Sequence, residues 1–300
     1  MLQIIELSSW QEFEKIIEKQ LIHETEEMRT GPSFYRGLPD ASWKLETTLE
    51  RYLGPDISVT AYHDIIQGTQ SRIETFTDRS WDLSGWYDDL ENLSEKLKEG
   101  ILLFSDFIID YMQYLRHFGF PSPLLDWSYS PYVAAYFAFR DVSNKAESVA
   151  IYDFLMASEL WRRPKIATYM DTDTVMYPTG IYPISPNPRR NKRHYLQQSV
   201  YTVCIAEENG DLFYSSHEAP HIVGVGDEDG IPYGEAIAKY VIPASERATA
   251  LHCLEAYNIN AYSLMGTEES LLESLFLSTY KNRVISKRIF PDAWKKGHIE

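Results

Sequence analysis

The chain has 300 residues, with 28 Lys and Arg against 44 Asp and Glu, which gives a formal net charge of −16. A surface of this sign repels DNA, RNA and anionic membranes, so general nucleic-acid binding and membrane binding are disfavoured. With 44% hydrophobic and 14% aromatic residues, the chain carries far more core-forming side chains than a disordered acidic protein. We therefore expect a folded protein.

The sequence has no pattern typical of a disulfide framework, a metal site or a membrane span. Cys204 and Cys253 stand far apart without a CxxC motif, and the eight histidines lack metal-ligand spacing. No stretch reaches the roughly 18 consecutive apolar residues that cross a bilayer, and residues 1–10 lack a basic segment followed by an apolar run. We expect a metal-free, cytoplasmic protein that does not bind membranes.

The first elements in chain order are a helix and a strand. A pair of serines precedes apolar residues spaced three or four apart, which predicts a helix that ends before Gly31. Residues 33–37 form an aromatic run stopped by glycine, which predicts a strand with Arg36 at its end. Residues 38–54 are expected to form a loop and one short helical turn.

The middle of the chain is predicted to be helical over residues 62–119, with a break near residues 82–85. Residues 124–127 then predict a buried strand. Ser130 has the character of a helix N-cap, and Pro131 suits the first helical position. The residues that follow are nearly all apolar, so this helix should be buried against a sheet.

The second half of the chain is predicted to contain three more strands, over residues 147–154, 199–205 and 237–242. Between the first two, the chain up to about residue 192 is rich in proline and has no periodicity, which predicts a long irregular loop of functional importance. Residues 209–234 are rich in glycine and aspartate and are predicted to be turns.

Two helices are expected near the C-terminal end. Ser245 is predicted to cap one that runs through Tyr257, and Thr267 opens another. Residues 282–300 form a weakly patterned basic tail. Because no repeat or linker divides the chain, we predict one α+β domain over residues 1–300, with a central mixed or antiparallel sheet elaborated by N-terminal and middle helical regions.

One dense basic run, Arg189 to Arg193, lies in the proline-rich segment. The positive charges of this run would suit a phosphate, a nucleic acid or an acidic partner. An ordinary solvated loop explains the run at least equally well. Together with Tyr195 and Tyr201 it also suggests RNA binding, since these residue types contact phosphates and stack on bases. The acidic total charge argues against that hypothesis.

Four polar residues occupy positions where the hydrophobic pattern would accept apolar ones. Arg36 offers a planar fork for a phosphate or carboxylate. Ser128 and Ser130 lie at a strand-to-helix junction, where hydroxyls and free helix N–H groups suit an anionic or polar ligand. The alternative is that Arg36 pairs with Asp126 as a buried ion pair that fixes the sheet, and that Ser130 only caps its helix.

The residues around Arg36 and Asp126 resemble the FRG domain, a family named for a Phe-Arg-Gly motif. Residues 34–37 and 43–51 resemble its opening, and residues 117–131 with the Ala-rich helix 133–138 resemble its Gln-His-Tyr-Gly-Leu-Pro-Thr-Arg-Leu-Leu-Asp-Trp-Thr block. Residues 193–201 and 258–264 are similar to later family segments. The chain departs from the family at several positions: Arg116 replaces Gln, Ser122-Pro123 replaces Thr-Arg, Ser128 replaces Thr and Ser199 replaces Gly.

The resemblance implies one FRG domain with a core over about residues 30–275, a helical insertion at about 62–118 and the basic tail 282–300. It also implies a ligand site at the two motifs. The ligand-binding residues expected there are Tyr35, Gly37, Arg116, His117, Asp126 and Trp127.

The order of these polar residues is similar to the Arg-Ser-Glu plan of NAD-dependent ADP-ribosyltransferases. This similarity implies an ADP-ribosyltransferase-like core with NAD as cofactor. Arg36 would hold the dinucleotide, Ser128 and Ser130 would shape the nicotinamide pocket, and Gln197 or Gln198 would stand in place of the catalytic glutamate. A neutral amide can bond a ribose hydroxyl but cannot match the charge of an oxocarbenium-like transition state.

Two functional hypotheses follow. In the first, the protein binds a nucleotide-like ligand and is an NAD-consuming effector in a toxin or phage-defence setting, with an unidentified macromolecular acceptor. In the alternative, the same residues serve a non-enzymatic ligand sensor or a protein-interaction module.

Overall fold

The computed structural model describes most of the chain in eight segments. They are residues 2–26, 33–85, 93, 106–141, 146–155, 180–185, 192–218 and 236–289. Within them, nine strands form one mixed sheet, and helices pack against the face that carries Tyr35, Ile151 and Tyr201. No helix in these segments is long and apolar enough to cross a bilayer.

The strands of the sheet are numbered in chain order. They are β1 (Leu2–Glu6), β2 (Ser33–Leu38), β3 (Ile57–Ser58), β4 (Leu125–Ser128), β5 (Ser148–Leu155), β6 (Gly180–Ile184), β7 (Ser199–Glu208), β8 (Asp211–Tyr214) and β9 (Ala236–Pro243).

The helices are numbered in the same way. They are α1 (Trp10–Glu26), α2 (Thr48–Leu53), α3 (Val59–Gln67), α4 (Gln70–Thr77), α5 (Asp106–His117), α6 (Pro131–Arg140), α7 (Lys192–Leu196), α8 (Arg247–Ala256), α9 (Ala261–Met265) and α10 (Glu268–Ile289).

The strand order across the sheet is β1-β9-β5-β2-β4-β7-β8-β3, and β6 pairs with β7 beside this path. The β1–β9 pair is parallel and the other described pairs are antiparallel. Residues 33–38 of β2 all pair with β5, but only Tyr35 pairs with β4, opposite Ser128. The ladder between β2 and β4 therefore ends after one residue pair, and the side chain of Arg36 lies at this point.

Three buried clusters form the core. One packs α1, α6 and α8 against β5 and β9 and includes Trp10 and Phe139. A second packs α3 and α5 around Tyr111 against β7. The third lies among the strands themselves and includes Trp127 and Phe154. The predicted α+β architecture with a central mixed sheet and two helical regions is confirmed.

Helix α6 forms as its sequence predicts. The Ser130 Oγ accepts a hydrogen bond from the backbone N–H of Val133 at 3.3 Å, and Pro131 occupies the first turn. Most of its residues are buried, since the helix lies directly on the sheet. Because α6 and β2 are in close contact, position 37 of β2 has room only for a glycine. A Cβ on Gly37 would lie 1.9 Å from the carbonyl oxygen of Ala134.

Four strands were not predicted: the two-residue β3, and β6, β8 and β1. β6 lies in the segment predicted to be an irregular loop, and it carries Pro183, which a strand paired on one side accepts. β8 lies in the segment predicted to be turns. It pairs with β7 through a hairpin whose two loop residues, Asn209 and Gly210, have φ of 54° and 88°. β1 is an edge strand whose residues are mostly exposed, so the sequence lacks alternation there.

Other boundaries also differ. Ser245 does not cap a helix: it lies in a 3-10 turn, Ala244–Glu246, and α8 begins at Arg247 without a side-chain cap. The predicted basic tail begins inside α10, which continues to Ile289. The predicted break at residues 82–85 is non-helical, as expected. Residues 156–179, 186–191 and 219–235, which cover most of the predicted loops and the positions of Arg189 and Arg190, lie outside the described residues.

Candidate functional site

A cavity of about 520 Å³ lies where β2, β4 and β7 meet the ends of α5, α6 and α7. Its volume falls within the roughly 300–1,000 Å³ of small-molecule sites. Polar and apolar side chains both line it. They are Tyr35, Arg36, Gly37, Arg116, His117, Gly119, Asp126, Trp127, Ser128, Val133, Ala134, Phe137, Arg193, His194, Gln197, Ser199, Tyr201 and Met265.

Arg36 extends from β2 toward the neighbouring strand β4. Its Nη1 donates a hydrogen bond to the carbonyl oxygen of Asp126 at 2.5 Å and lies 3.7 Å from the Asp126 Oδ2. The guanidinium thus bridges the place where the ladder between β2 and β4 ends. Its side chain is 16% exposed, and its Nε is buried without a hydrogen-bond partner in the described part of the chain.

Arg116 holds the Asp126 carboxylate from the last turn of α5. Its Nε and Nη2 both donate to the Asp126 Oδ2, the former at 3.2 Å. Its Nη1 donates to the Thr48 Oγ1 at 2.8 Å, and this hydroxyl oxygen also accepts from the backbone N–H of Ser122 at 2.9 Å. The Asp126 side chain remains 42% exposed, because its carboxylate faces the cavity.

The charges of this triad depend on one another. Burial lowers the pKa of Arg36 to about 10, against the opposing effect of Asp126, so the guanidinium is still protonated at neutral pH. Burial would raise the pKa of Asp126, but the positive charges of Arg116 and Arg36 outweigh it and hold that pKa below its ordinary value. The triad therefore carries two positive charges and one negative charge at neutral pH.

A third arginine, Arg193, adds to the cationic side of the cavity, and His117 and His194 lie beside it. Burial and the nearby charge of Arg193 lower the pKa of His117, while Asp126 opposes them. His194 is buried, and its Nε2 lies 2.9 Å from the Tyr201 hydroxyl. Asp126 is the only carboxylate among the described lining residues, which include three arginines. In a chain of net charge −16, this is a local concentration of positive charge.

The serine junction is largely committed to structure. The Ser128 Oγ donates to the carbonyl oxygen of Gln197 at 2.7 Å and accepts from the backbone N–H of Ser130 at 3.0 Å. Ser128 lines the cavity. Ser130 does not, because its hydroxyl faces the first turn of α6 as an N-cap. The observed geometry of Ser130 therefore agrees with the alternative interpretation, in which its hydroxyl only caps α6.

The two glutamines at the start of β7 have different positions. Gln197 lines the cavity, and its Nε2 donates to the carbonyl oxygen of Leu264 at 3.2 Å, which ties this turn to α9. Gln198 is exposed and does not line the cavity. It adopts φ of 49° in the turn before β7, where its carbonyl oxygen accepts from the backbone N–H of Tyr129 at 3.0 Å.

A buried network fixes the aromatic wall. The Trp127 Nε1 donates to the Thr202 Oγ1 at 2.7 Å, and this hydroxyl lies 2.8 Å from the His217 Nε2. Since Thr202 accepts from Trp127, its own proton is available to His217. Trp127 is 3% exposed and His217 is fully buried, so the ring is held in one orientation.

Nine of the residues predicted from the sequence to be catalytic or ligand-binding meet in this one cavity. Sequence reasoning missed others that line it. Tyr201 was predicted only to stack on RNA bases, and its place in the cavity follows from its pairing with Asp126 across β4 and β7. Phe137 and Met265 look like ordinary core residues in their helices, so the sequence holds no signal for them. In the described segments, no group of three His, Cys, Asp or Glu residues is placed to bind a metal ion.

The arginines of the cavity suit the binding of a phosphate-bearing ligand such as NAD. They suit the cleavage of NAD less well. The unpartnered Nε of Arg36 and the surplus of cations suit a pyrophosphate group. Cleavage at the nicotinamide ribose calls for a carboxylate beside the sugar. Among the described lining residues that group is Asp126 alone, and the two arginines already hold it.

Comparison with known proteins gave one match. The family model of the FRG domain matches residues 31–147, a range that includes β2, α5, β4 and α6. No match was found among the curated proteins or among the solved structures. The range contains Arg36, Arg116 and Asp126, whereas Arg193, Gln197 and Tyr201 lie beyond it.

Proposed function

We propose that the cavity, which is built in part from the segment that matches the FRG-domain family model (residues 31–147), binds a nucleotide-like ligand through the ligand's phosphate groups. The observation that carries this proposal is the surplus of arginines over carboxylates in a cavity of small-molecule size. Arginine binds phosphate oxygens bidentately and keeps its charge at all physiological pH values.

The state of Arg36 supports the proposal further. A buried N–H without a hydrogen-bond partner costs about 1–3 kcal/mol, and most buried polar groups in proteins have a partner. An anion that draws the guanidinium toward the cavity would give Nε an acceptor and share the positive charge with Asp126. Within the part of the chain that the structure describes, the Nε of this arginine has no hydrogen-bond acceptor.

Binding without turnover, as in a ligand sensor, fits the described residues better than ADP-ribosyl transfer. An oxocarbenium-like transition state needs a nearby negative charge. The Gln197 amide supplies none, and its Nε2 already donates to the backbone of α9. NAD enters the proposal as a ligand held by Arg36, Arg116 and Arg193.

Ligand binding is tested by thermal unfolding with ADP-ribose and NAD. A ligand that binds only the folded state at 100 times its Kd adds about 2.7 kcal/mol of stability. We expect Arg36→Ala and Arg193→Ala to lose most of this gain. Arg72→Ala, which removes one charge from the exposed surface of α4, should keep it. Arg193→Ala leaves the β2–β4 contact intact, so it remains informative if Arg36→Ala does not fold.

Turnover is measured in the same samples by following nicotinamide release from NAD. We expect stabilisation without release. Release that depends on Arg36 would show an enzyme instead of a sensor. The absence of stabilisation by both ligands would contradict the proposed binding function itself.

A further inference from the structure

The cavity has an apolar wall that a phosphate does not use. Helix α6 contributes Val133, Ala134 and Phe137, which share one face of the helix because Phe137 follows Val133 by four residues and Ala134 by three. Met265, at the end of α9, joins them. The arginines come from other elements, β2, α5 and α7, so the cationic and apolar side chains form separate walls.

Two members of this wall have surface left for a ligand. Val133 and Ala134 are each 2% exposed, so their side chains are already covered by the core. Phe137 and Met265 are half-buried: they pack against the core cluster of α1, α6 and α8 on one side and line the cavity on the other.

The wall is also held in place before any ligand binds. Ser130 caps α6, and the helix lies so close to β2 that Gly37 accommodates no side chain. The end of α9 is tied to the start of β7 by the hydrogen bond from the Gln197 Nε2 to the carbonyl oxygen of Leu264 at 3.2 Å. A preformed apolar surface beside cations suits a ligand that has a flat ring and a phosphate.

We propose that Phe137 and Met265 bind the aromatic ring of the ligand and determine its specificity. The inference rests on the proposed function, and it narrows the ligand to a phosphate-bearing molecule with a planar base attached to its sugar. An aromatic ring gains favourable contact with the Phe137 ring and with the polarizable sulfur of Met265. We expect this contact to improve affinity about tenfold.

The test compares two ligands that share the same sugar phosphate, AMP and ribose 5-phosphate, by isothermal titration calorimetry of the full chain. Wild-type protein should bind AMP about tenfold more tightly. Phe137→Leu should reduce this ratio toward one, because it keeps an apolar side chain and removes the ring. Phe76→Leu serves as the matched control, since Phe76 is 91% exposed and does not line the cavity; it should leave the ratio unchanged.

The outcomes separate the two proposals. Equal affinity for AMP and ribose 5-phosphate in the wild-type protein, or an unchanged ratio in Phe137→Leu, would overturn the ring site and leave phosphate binding intact. Failure of both ligands to bind would overturn the proposed function. If Phe137→Leu does not fold, Met265→Ala takes its place, and a ratio unchanged in that variant would equally overturn the inference.

Discussion

Asp126 is the residue on which the electrostatics of the cavity depend. Its Oδ2 accepts hydrogen bonds from the Nε and Nη2 of Arg116 and lies 3.7 Å from the Nη1 of Arg36. It is therefore the internal counter-ion of the two arginines, and it opposes any anionic ligand that approaches them. Stability and ligand affinity should respond to its removal with opposite signs.

Asp126→Asn should make the protein less stable and should tighten AMP binding. Removing one partner of a fully buried ion pair costs about 3–5 kcal/mol, and we expect about 1–3 kcal/mol here because the side chain is 42% exposed. Urea unfolding and calorimetry measure the two effects. Asp141→Asn is the control, since that carboxylate is 68% exposed and 3.9 Å from Arg140. Weaker AMP binding by a folded Asp126→Asn protein would show that the carboxylate itself contacts the ligand.

The same residue gives a pH dependence at the acidic end. The pKa of Asp126 is lower in the folded protein than in the unfolded chain, because Arg116 and Arg36 outweigh burial. The stability that ionised Asp126 contributes is complete above its unfolded-state pKa of about 3.9. This stability is lost as the pH falls through its lower folded-state pKa. The difference in stability between wild type and Asp126→Asn should therefore shrink below about pH 4.

His63 provides a second pH dependence, nearer neutrality. It is fully buried beside Tyr214, and burial lowers its pKa to about 3. The unfolded chain takes up its proton near pH 6.5, so the stability from neutral His63 is complete above that pH and declines below it. Between pH 7 and pH 5 the loss should be about 2 kcal/mol. Urea unfolding of wild type and His63→Phe measures it, and an equal loss in both would contradict the assignment.

At the level of elements, the contact between β2 and α6 sets the shape of the site. Both elements line the cavity, and Gly37 is the point where they touch. Gly37 has a steric role here, because it lets the helix lie directly on the strand that carries Arg36.

Gly37→Ala should destabilise the protein severely. A new Cβ would lie 1.9 Å from the carbonyl oxygen of Ala134 and 2.6 Å from the backbone nitrogen of Ala138, and backbone atoms cannot move aside as a flexible side chain does. We expect a loss of at least about 3 kcal/mol, measured by thermal unfolding. Gly85→Ala is the matched control, because a Cβ there meets no atom of the described residues within 4 Å. Similar stability of the two variants would contradict this account of the contact.

The elements also show what local sequence can specify. β2, α6 and β5 carry their own signals, namely an aromatic run, an N-cap with proline and a hydrophobic stretch, and each forms close to where it was predicted. The residues of β1 and β6 carry no such local signals, because these two strands form through pairing with β9 and β7. The hairpin before β8 did have a signal: Asn209-Gly210 is the dipeptide preferred where two residues need positive φ.

At the scale of the whole molecule, the cavity combines residues separated by more than two hundred positions, from Tyr35 to Met265. The family motifs indicated the arginine, the aspartate and the serine junction, since these lie within two continuous segments. They did not indicate Phe137 or Met265, which only tertiary packing turns toward the cavity. Ser130 and Gln198 remain outside it, because one caps a helix and the other forms a turn.

The charge of the molecule bears on the size of the ligand. A chain of net charge −16 repels a long polyanion over its surface, whereas three arginines attract a small anion once it is inside the cavity. The combination favours a small phosphate-bearing ligand over RNA or DNA.

A crystal structure of the protein soaked with ADP-ribose tests the central claim most directly. We predict the ligand's phosphates in the cavity, with phosphate oxygens within about 3.2 Å of guanidinium nitrogens from Arg36 and from Arg116 or Arg193. A ligand bound elsewhere, or a cavity without ligand in which Arg36 keeps its present contacts with Asp126, would contradict the account.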